Sequence, residues 1–231
     1  MFDFCRGRWT VVTLALLAVS SRGQVAAQLS SIPGKETWVT NGTVYAIAAT
    51  PETTYIGGDF TYVGPFTGGF VPTDAVTGVP GNTYPRVNGT VYTVVSDEAG
   101  GWYIGGDFTQ VGASERHCIA HILQDGTVDP SWNPGADKVV YALAVSDGTL
   151  YVGGEFSIIG GQTRYLVAAI DKASGFVLAW NPMVTGYFVY NLAVDNGTLY
   201  IAGIFDLYFG EGESRTGLAA IDIASGLPTA W

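Results

Sequence analysis

The sequence predicts an all-β protein, a β-propeller-like array of four four-stranded antiparallel blades, incomplete or open as an array. Three observations predict it. The first is an internal repeat. Tyr55-Ile56-Gly57-Gly58-Asp59-Phe60 returns as Tyr103-Ile104-Gly105-Gly106-Asp107-Phe108 and as Tyr151-Val152-Gly153-Gly154-Glu155-Phe156, with first glycines 48 residues apart. A worn copy, Tyr200-Ile201-Ala202-Gly203-Ile204-Phe205, follows at 49. Periods of this size belong to propeller blades and repeat arrays. The second is composition: charged residues make up only 13% and there are 32 glycines, which suits short strands and tight turns better than helices. The third is punctuation: turn dipeptides such as Asp147-Gly148 and Ser174-Gly175 separate apolar runs of strand length.

Taken in chain order, residues 1–27 form a segment of their own. Arg6 and Arg8 precede an apolar run from Trp9 to Val19, and Val25-Ala26-Ala27 supplies small residues at the −3 and −1 positions. That pattern is a secretory signal peptide cut before Gln28. The apolar run is far shorter than the ~20 residues that span a bilayer, so membrane insertion is not expected. Cleavage removes Arg6, Arg8, Arg22 and Asp3 and moves the formal charge from −10 to −12. A surface this acidic argues against nucleic acid and anionic membranes as partners. Cys5 leaves with the signal, so Cys118 remains alone and no internal disulfide can form.

Residues 28–40 read as a linker, with Trp38 as a stray fourth strand, and residues 41–231 as the repeat domain. Its units run approximately 41–87, 88–138, 139–187 and 188–231. The third unit is the clearest. Val139 to Val145 is a strand buried on both faces, Asp147-Gly148 turns it into a second strand from Thr149 to Phe156, and Tyr165 to Asp171 is the third. Ser174-Gly175 then leads to a short fourth strand, Phe176 to Trp180. First-strand tyrosines recur at Tyr45, Tyr92, Tyr141 and Tyr190, and fourth-strand aromatics at Tyr84, Trp132, Trp180 and Trp231. Glycine pairs inside a strand mark a bend or the close approach of another backbone. Face-to-face stacking of twisted sheets accounts for apolar residues at nearly every strand position. A β-sandwich would share the strands but has no need of the period.

The second unit carries Gly105-Gly106-Asp107-Phe108-Thr109, then Arg116, Ile119-Ala120-His121-Ile122-Leu123, and Asp125-Gly126-Thr127-Val128-Asp129-Pro130-Ser131-Trp132-Asn133-Pro134. This resembles the delta-60 repeat, a propeller-like repeat of exported bacterial proteins, over Asn41 to Trp231. The resemblance implies a fold and an exported location, and it brings no activity with it. The first unit departs most, with Pro72-Thr73-Asp74 where an Ala-Arg-Leu-like segment belongs, and the fourth has lost its glycine pair and its acid. Kelch repeats share the glycine pair and a tryptophan, but Tyr165 lies 12 residues after Gly153, farther than kelch spacing. Fungal cell-polarity markers of the Rax-two kind carry similar Gly-Gly-x-Phe runs, which keeps a eukaryotic source open.

Residues with chemical potential are few. His117, Cys118 and His121 are the one cluster resembling metal ligands, but along a strand residues 117 and 121 lie ~13 Å apart and Cys118 points the other way. No metal site and no cofactor is expected there, and Cys118 reads as a buried, inert thiol. Asp59, Asp107 and Glu155 recur once per unit, either as a carboxylate ring for calcium or glycosidase chemistry or as a structural feature of the repeat. Recurrence favours structure. Arg116, Arg164 and Arg215 open the third strands, and two pairings with the acids are open: within a unit, as Asp107–Arg116 and Glu155–Arg164, or across units, as Asp59–Arg116, Asp107–Arg164 and Glu155–Arg215. Asn41, Asn88 and Asn196 head Asn-Gly-Thr sequons that serve equally as hairpin turns, and glycosylation requires a eukaryotic source. The reading is an exported, non-enzymatic interaction or structural module, secreted or on the cell surface, whose partner is an extracellular protein or glycan. The alternative is a propeller lyase or hydrolase using loop carboxylates.

Overall fold

The computed structural model describes residues 38–40, 43–49, 54–59, 63–65, 69–71, 84–209 and 213–229. The expected signal peptide, Asn41, Trp231 and the side chain of Phe209 lie outside the described residues. The chain divides into two compact units, residues 1–67 and 68–231. All regular structure among the described residues is antiparallel strand, in the succession of small sheets that a propeller-like array requires.

In the first unit, β1 (Trp38–Thr40) pairs with β4 (Val63–Pro65), and β2 (Thr43–Ala49) pairs with β3 (Thr54–Asp59). Trp38 is therefore not a fourth strand. It pairs with Pro65 beyond the glycine pair, as Val87 pairs with Val111 in the next repeat, so β1 is the leading part of a first strand.

The second unit holds three larger sheets. The first is β5 (Val87–Ser96), β6 (Trp102–Val111), β7 (Ser114–Glu115) and β8 (Ile119–Ile122), with β7 and β8 both on β6. The second is β9 (Val140–Ser146), β10 (Thr149–Gly154) and β13 (Val167–Asp171), with a small ribbon of β11 (Ile158–Ile159) and β12 (Gln162–Thr163) between them in sequence. The third is β14 (Val184–Asp195), β15 (Thr198–Phe209) and β16 (Glu213–Asp222). The expected order holds: first strand on second, second on third.

Among the described residues the fourth strand does not form as a ladder; in three repeats it shrinks to one bridge, Ile122 with Val128, Ile170 with Val177 and Ile221 with Pro228. The reason lies partly in the repeated arginines. Arg116 donates to the Asp129 carbonyl and Arg164 to the Leu178 carbonyl, each at 2.8 Å, just past the bridging residue. The guanidinium takes an acceptor that a longer ladder would need. Arg164 donates to the carbonyls of Thr163 and Leu178 and to Gln162, with neither Asp107 nor Glu155 among these partners, and Glu155 pairs with Lys138 at 3.1 Å. The third strand is also shorter than its apolar run. Cys118 and Leu166 sit at φ 62° and 64°, a left-handed conformation that turns the backbone off the ladder, so pairing starts one residue later. Cys118 is thus buried ahead of β8 and not within it, and burial pushes its thiol up.

The glycine pair has two separate explanations. In every repeat the first-strand tyrosine is the extra residue of a β-bulge: the register skips Tyr45, Tyr92, Tyr141 and Tyr190. The bulge pushes a carbonyl onto the second glycine. A Cβ on Gly58, Gly106, Gly154 or Gly203 would lie 2.0–2.2 Å from the carbonyl oxygen of Thr43, Thr90, Val139 or Phe188. Only glycine fits, and the worn fourth copy keeps it. The first glycine faces the following sheet. A Cβ on Gly105 would lie 2.5 Å from Val140 Cγ1, and one on Gly153 3.0 Å from Val189 Cγ1. Ala202 stands at this less demanding position in the fourth copy.

The sheet of β9, β10 and β13 is buried on both faces, as its sequence requires. Leu150, Val152, Ala168 and Ile170 pack toward Tyr103, Ile119 and Trp132 of the preceding repeat. Tyr151, Val167 and Ala169 pack toward Val189, Leu199 and Ile201 of the following one. The tryptophans cross between repeats: a Cβ on Gly175 would touch Trp132 at 3.0 Å, and one on Gly226 would touch Trp180 at 3.3 Å. Each indole therefore lies over the bare turn of the next repeat, where any side chain would lift it.

Candidate functional site

The bulges decide where the repeated tyrosines go. A residue skipped by the register cannot join the alternation of inward and outward side chains, so it stands off the sheet. Tyr92 and Tyr190 are 53% exposed. Tyr141 sits between them, with ring centroids 5.4 Å from Tyr92 and 5.1 Å from Tyr190. Phe188 closes the row at 4.1 Å from Tyr190. Three successive sheets thus contribute to one aromatic row. Partial burial raises the Tyr141 phenol, and the negative field of Glu155 adds to it, with Tyr190, Tyr92 and Asp107 contributing less. In the first unit the same bulge leaves Tyr45 75% exposed.

Next to the row lies a cleft of 380 Å³ between repeats, lined by Lys138, Glu155, Ser157, Tyr165, Leu166, Thr185, Gly186 and Tyr187. Row and cleft share a border: Glu155 serves both, and Tyr187 directly precedes Phe188. The cleft's polar groups are the Lys138–Glu155 ion pair and the Ser157 and Thr185 hydroxyls, and its walls are two phenol rings. The recurring tyrosines of the row were legible by their period, whereas the repeat fixes no residue type at the positions of Lys138, Ser157, Thr185 and Tyr187.

The histidines separate. His117 is on the surface, 2.8 Å from Glu115. His121 points inward between two carboxylates, with Nε2 3.1 Å from Asp97 Oδ2 and Nδ1 3.0 Å from Asp129 Oδ2. Its ring stacks on Tyr103 at 4.4 Å and meets the edge of Trp132. Each carboxylate spends its second oxygen on the backbone: Asp97 accepts from Ala99 and Gly101, and Asp129 from Ser131. Burial opposes the charge on both aspartates, but the hydrogen bonds outweigh it and hold both below the usual carboxylate range. Burial, reinforced by Asp97 and Asp129, pushes the neighbouring Tyr103 phenol strongly upward, and its hydroxyl donates to the Lys172 carbonyl. No group of three or more His, Cys, Asp or Glu side chains among the described residues is arranged to hold a metal.

Other expected positions resolve plainly. Asn196-Gly197 is a two-residue hairpin turn with φ 46° and 75°, and Asp147-Gly148 matches it at 45° and 82°. Asn88-Gly89 is no turn. It lies inside β5, exposed, where Gly89 at φ 136° stands opposite a second bulge whose extra residue is Thr109 of β6. Asp107 is exposed in the middle of β6, opposite Thr90, and does not end the strand. Asp171 and Asp222 end their strands by accepting from the backbone and hydroxyl of Ser174 and Ser225, which holds both carboxyls low.

Comparison with known proteins bears on the fold. A family model described as a domain of unknown function (DUF5122) beta-propeller matches residues 100–131 and 146–168. No curated protein matches. Among solved structures, the computationally designed Ika8 protein is similar at 13% identity and a TM-score of 0.44, covering 80% of this chain and 60% of that one. The chain thus spans three fifths of the designed protein's length. The matched family segments run from β6 through the crossover after β8, and from the end of β9 into β13. These segments are similar to that beta-propeller family, and the antiparallel sheets around them are consistent with an open, propeller-like array.

Proposed function

We propose that this is an exported, non-enzymatic propeller module that binds an extracellular protein or glycan on the tyrosine-lined surface between its repeats. The observation that carries the proposal is the cross-repeat row of Tyr92, Tyr141 and Tyr190. These rings are set off the sheets by bulges and left partly uncovered. A structural stack would gain by burying its rings, whereas exposed aromatics aligned beside a cleft suit recognition. Export is supported by the charged, apolar and small-residue pattern of residues 1–27. The shifted carboxyls among the described residues, Asp97, Asp125, Asp129, Asp171 and Asp222, all lie below the usual range. A general acid needs the opposite shift.

The test uses the chain from Gln28 onward, tagged and incubated with intact cell surfaces and with arrays of extracellular proteins and glycans. Retention should fall by about tenfold when Tyr92 and Tyr190 are both changed to serine, with an unchanged melting temperature. Turnover of polysaccharide substrates by the wild-type chain, or retention indifferent to both tyrosines, would overturn the proposal.

A further inference from the structure

We infer that the cleft bordered by Tyr165 and Tyr187 is a subsite for a neutral saccharide, an inference that rests on the binding-module reading above. The argument starts from what the repeat does not require. Arg164-Tyr165-Leu166 is the counterpart of Arg116-His117-Cys118, with the same left-handed third residue. Tyr187 lies three residues before the bulged Tyr190, as Lys138 lies three before the bulged Tyr141. The frame therefore accepts histidine and lysine at these places. In this one cleft both are tyrosines, 52% and 72% exposed. Rings left this open contribute little to the core, so packing does not account for them.

The chemistry between the walls narrows the ligand. Lys138 and Glu155 form a pair 3.1 Å apart, with side chains 54% and 38% exposed, so both are reachable from the cleft. Together they are neutral and offer charge-assisted donors and an acceptor side by side. An anionic ligand would face a chain of formal charge −10. A cationic one would have to displace Lys138 from Glu155. A polyol suffers neither penalty: adjacent hydroxyls can accept from the ammonium and donate to the carboxylate, and the Ser157 and Thr185 hydroxyls extend the set. The apolar face of a sugar ring fits on phenol rings. The volume of 380 Å³ falls at the small end of ligand pockets, which suits a short saccharide.

The experiment titrates the chain from Gln28 with a panel of uncharged gluco-, manno-, xylo- and N-acetylglucosamine oligosaccharides, followed by calorimetry and tyrosine fluorescence. At least one should bind. Tyr187→Ala, Tyr165→Ala and Glu155→Gln should each weaken it by about tenfold or more while the melting temperature holds. Phe176→Ser should leave it within about twofold, because that exposed ring lies outside both the cleft and the tyrosine row. The inference is overturned if no member of the panel binds, or if binding ignores all three cleft variants. It is also overturned if an oligolysine peptide occupies the cleft in their place. In any of these cases a protein partner still lost on changing Tyr92 and Tyr190 would leave the binding-module reading standing.

Discussion

The sheet of β5, β6 and β8 and the sheet of β9, β10 and β13 follow one plan, yet one is polar at its heart and the other is not. His121 and Ala169 occupy the same place. Each accepts through its carbonyl from the residue after the bridge, Asp129 in one case and Leu178 in the other. Around Ala169 everything is apolar. Around His121 stand Asp97 and Asp129. The loops explain how both are possible. β9 turns into β10 through Asp147-Gly148 alone, and there the aspartate is exposed. Between β5 and β6 the connection runs from Asp97 to Gly101, and Asp97 closes it by accepting from Ala99 and Gly101. That closure turns its other oxygen inward to His121. The comparison teaches that backbone contacts fix the plan, while the centre of each sheet tolerates either solution if it is complete.

Three measurements would break or sharpen this comparison. The largest effect should come from His121→Ala, which imitates the third repeat at one position only. It leaves two nearly buried carboxylates without their shared partner and should destabilise by about 3–5 kcal/mol in chemical denaturation. Adding Asp129→Leu removes one of the two stranded carboxylates, leaving Asp97, and should recover part of that loss; a double variant no better than the single one would contradict the equivalence of the two sheets. The second measurement concerns what the sheets share. Gly106→Ala and Gly154→Ala should each cost about 3 kcal/mol, because the clash is with backbone, whereas Gly153→Ala should cost about 1 kcal/mol, its neighbours being the movable Val189 and Leu192 side chains. Equal costs for Gly153 and Gly154 would refute the division of labour between the two glycines.

The smallest effect is the pH dependence. Asp97 and Asp129 are held below their unfolded values, so their contribution is present above about pH 4 and is lost as pH falls through the folded values. The melting temperature should decline on acidification below about pH 4, and less steeply in the His121→Ala, Asp129→Leu variant. An unchanged acid limb in that variant would show that the loss originates elsewhere, as at Asp171 and Asp222.

The repeat made the strand order, the two hairpin turns at Asp147 and Asn196 and the double burial of the third sheet legible, because each follows from a local pattern. The double duty of Gly-Gly was only half legible. Glycines announce crowding, but which atom crowds them depends on a bulge in the neighbouring strand. The fate of the arginines was not legible at all: sequence counts charges, and Arg116 and Arg164 chose carbonyls, which every residue has. Of the candidate site, the recurring tyrosines could be picked out by period. The cleft could not, since it joins Lys138 and Glu155 to Thr185 and Tyr187 across a repeat boundary.

The arginine contact has a consequence for how such a chain could lengthen or shorten. Arg116 reaches Asp129 and Arg164 reaches Leu178, both partners lying within the same repeat, and the acceptor is a carbonyl that any replacement residue would still supply. Had the guanidinium depended on an acid in the adjacent repeat, duplication or deletion of one repeat would have left a mismatched charge at the seam. With the latch closed internally, a repeat is a self-fastening cassette. The seam asks for small side chains at Gly105 and Gly153 and a bare turn beneath each tryptophan, requirements that a copied repeat brings with it, and between the second and third repeats it adds the Tyr103 and Glu98 contacts to Lys172.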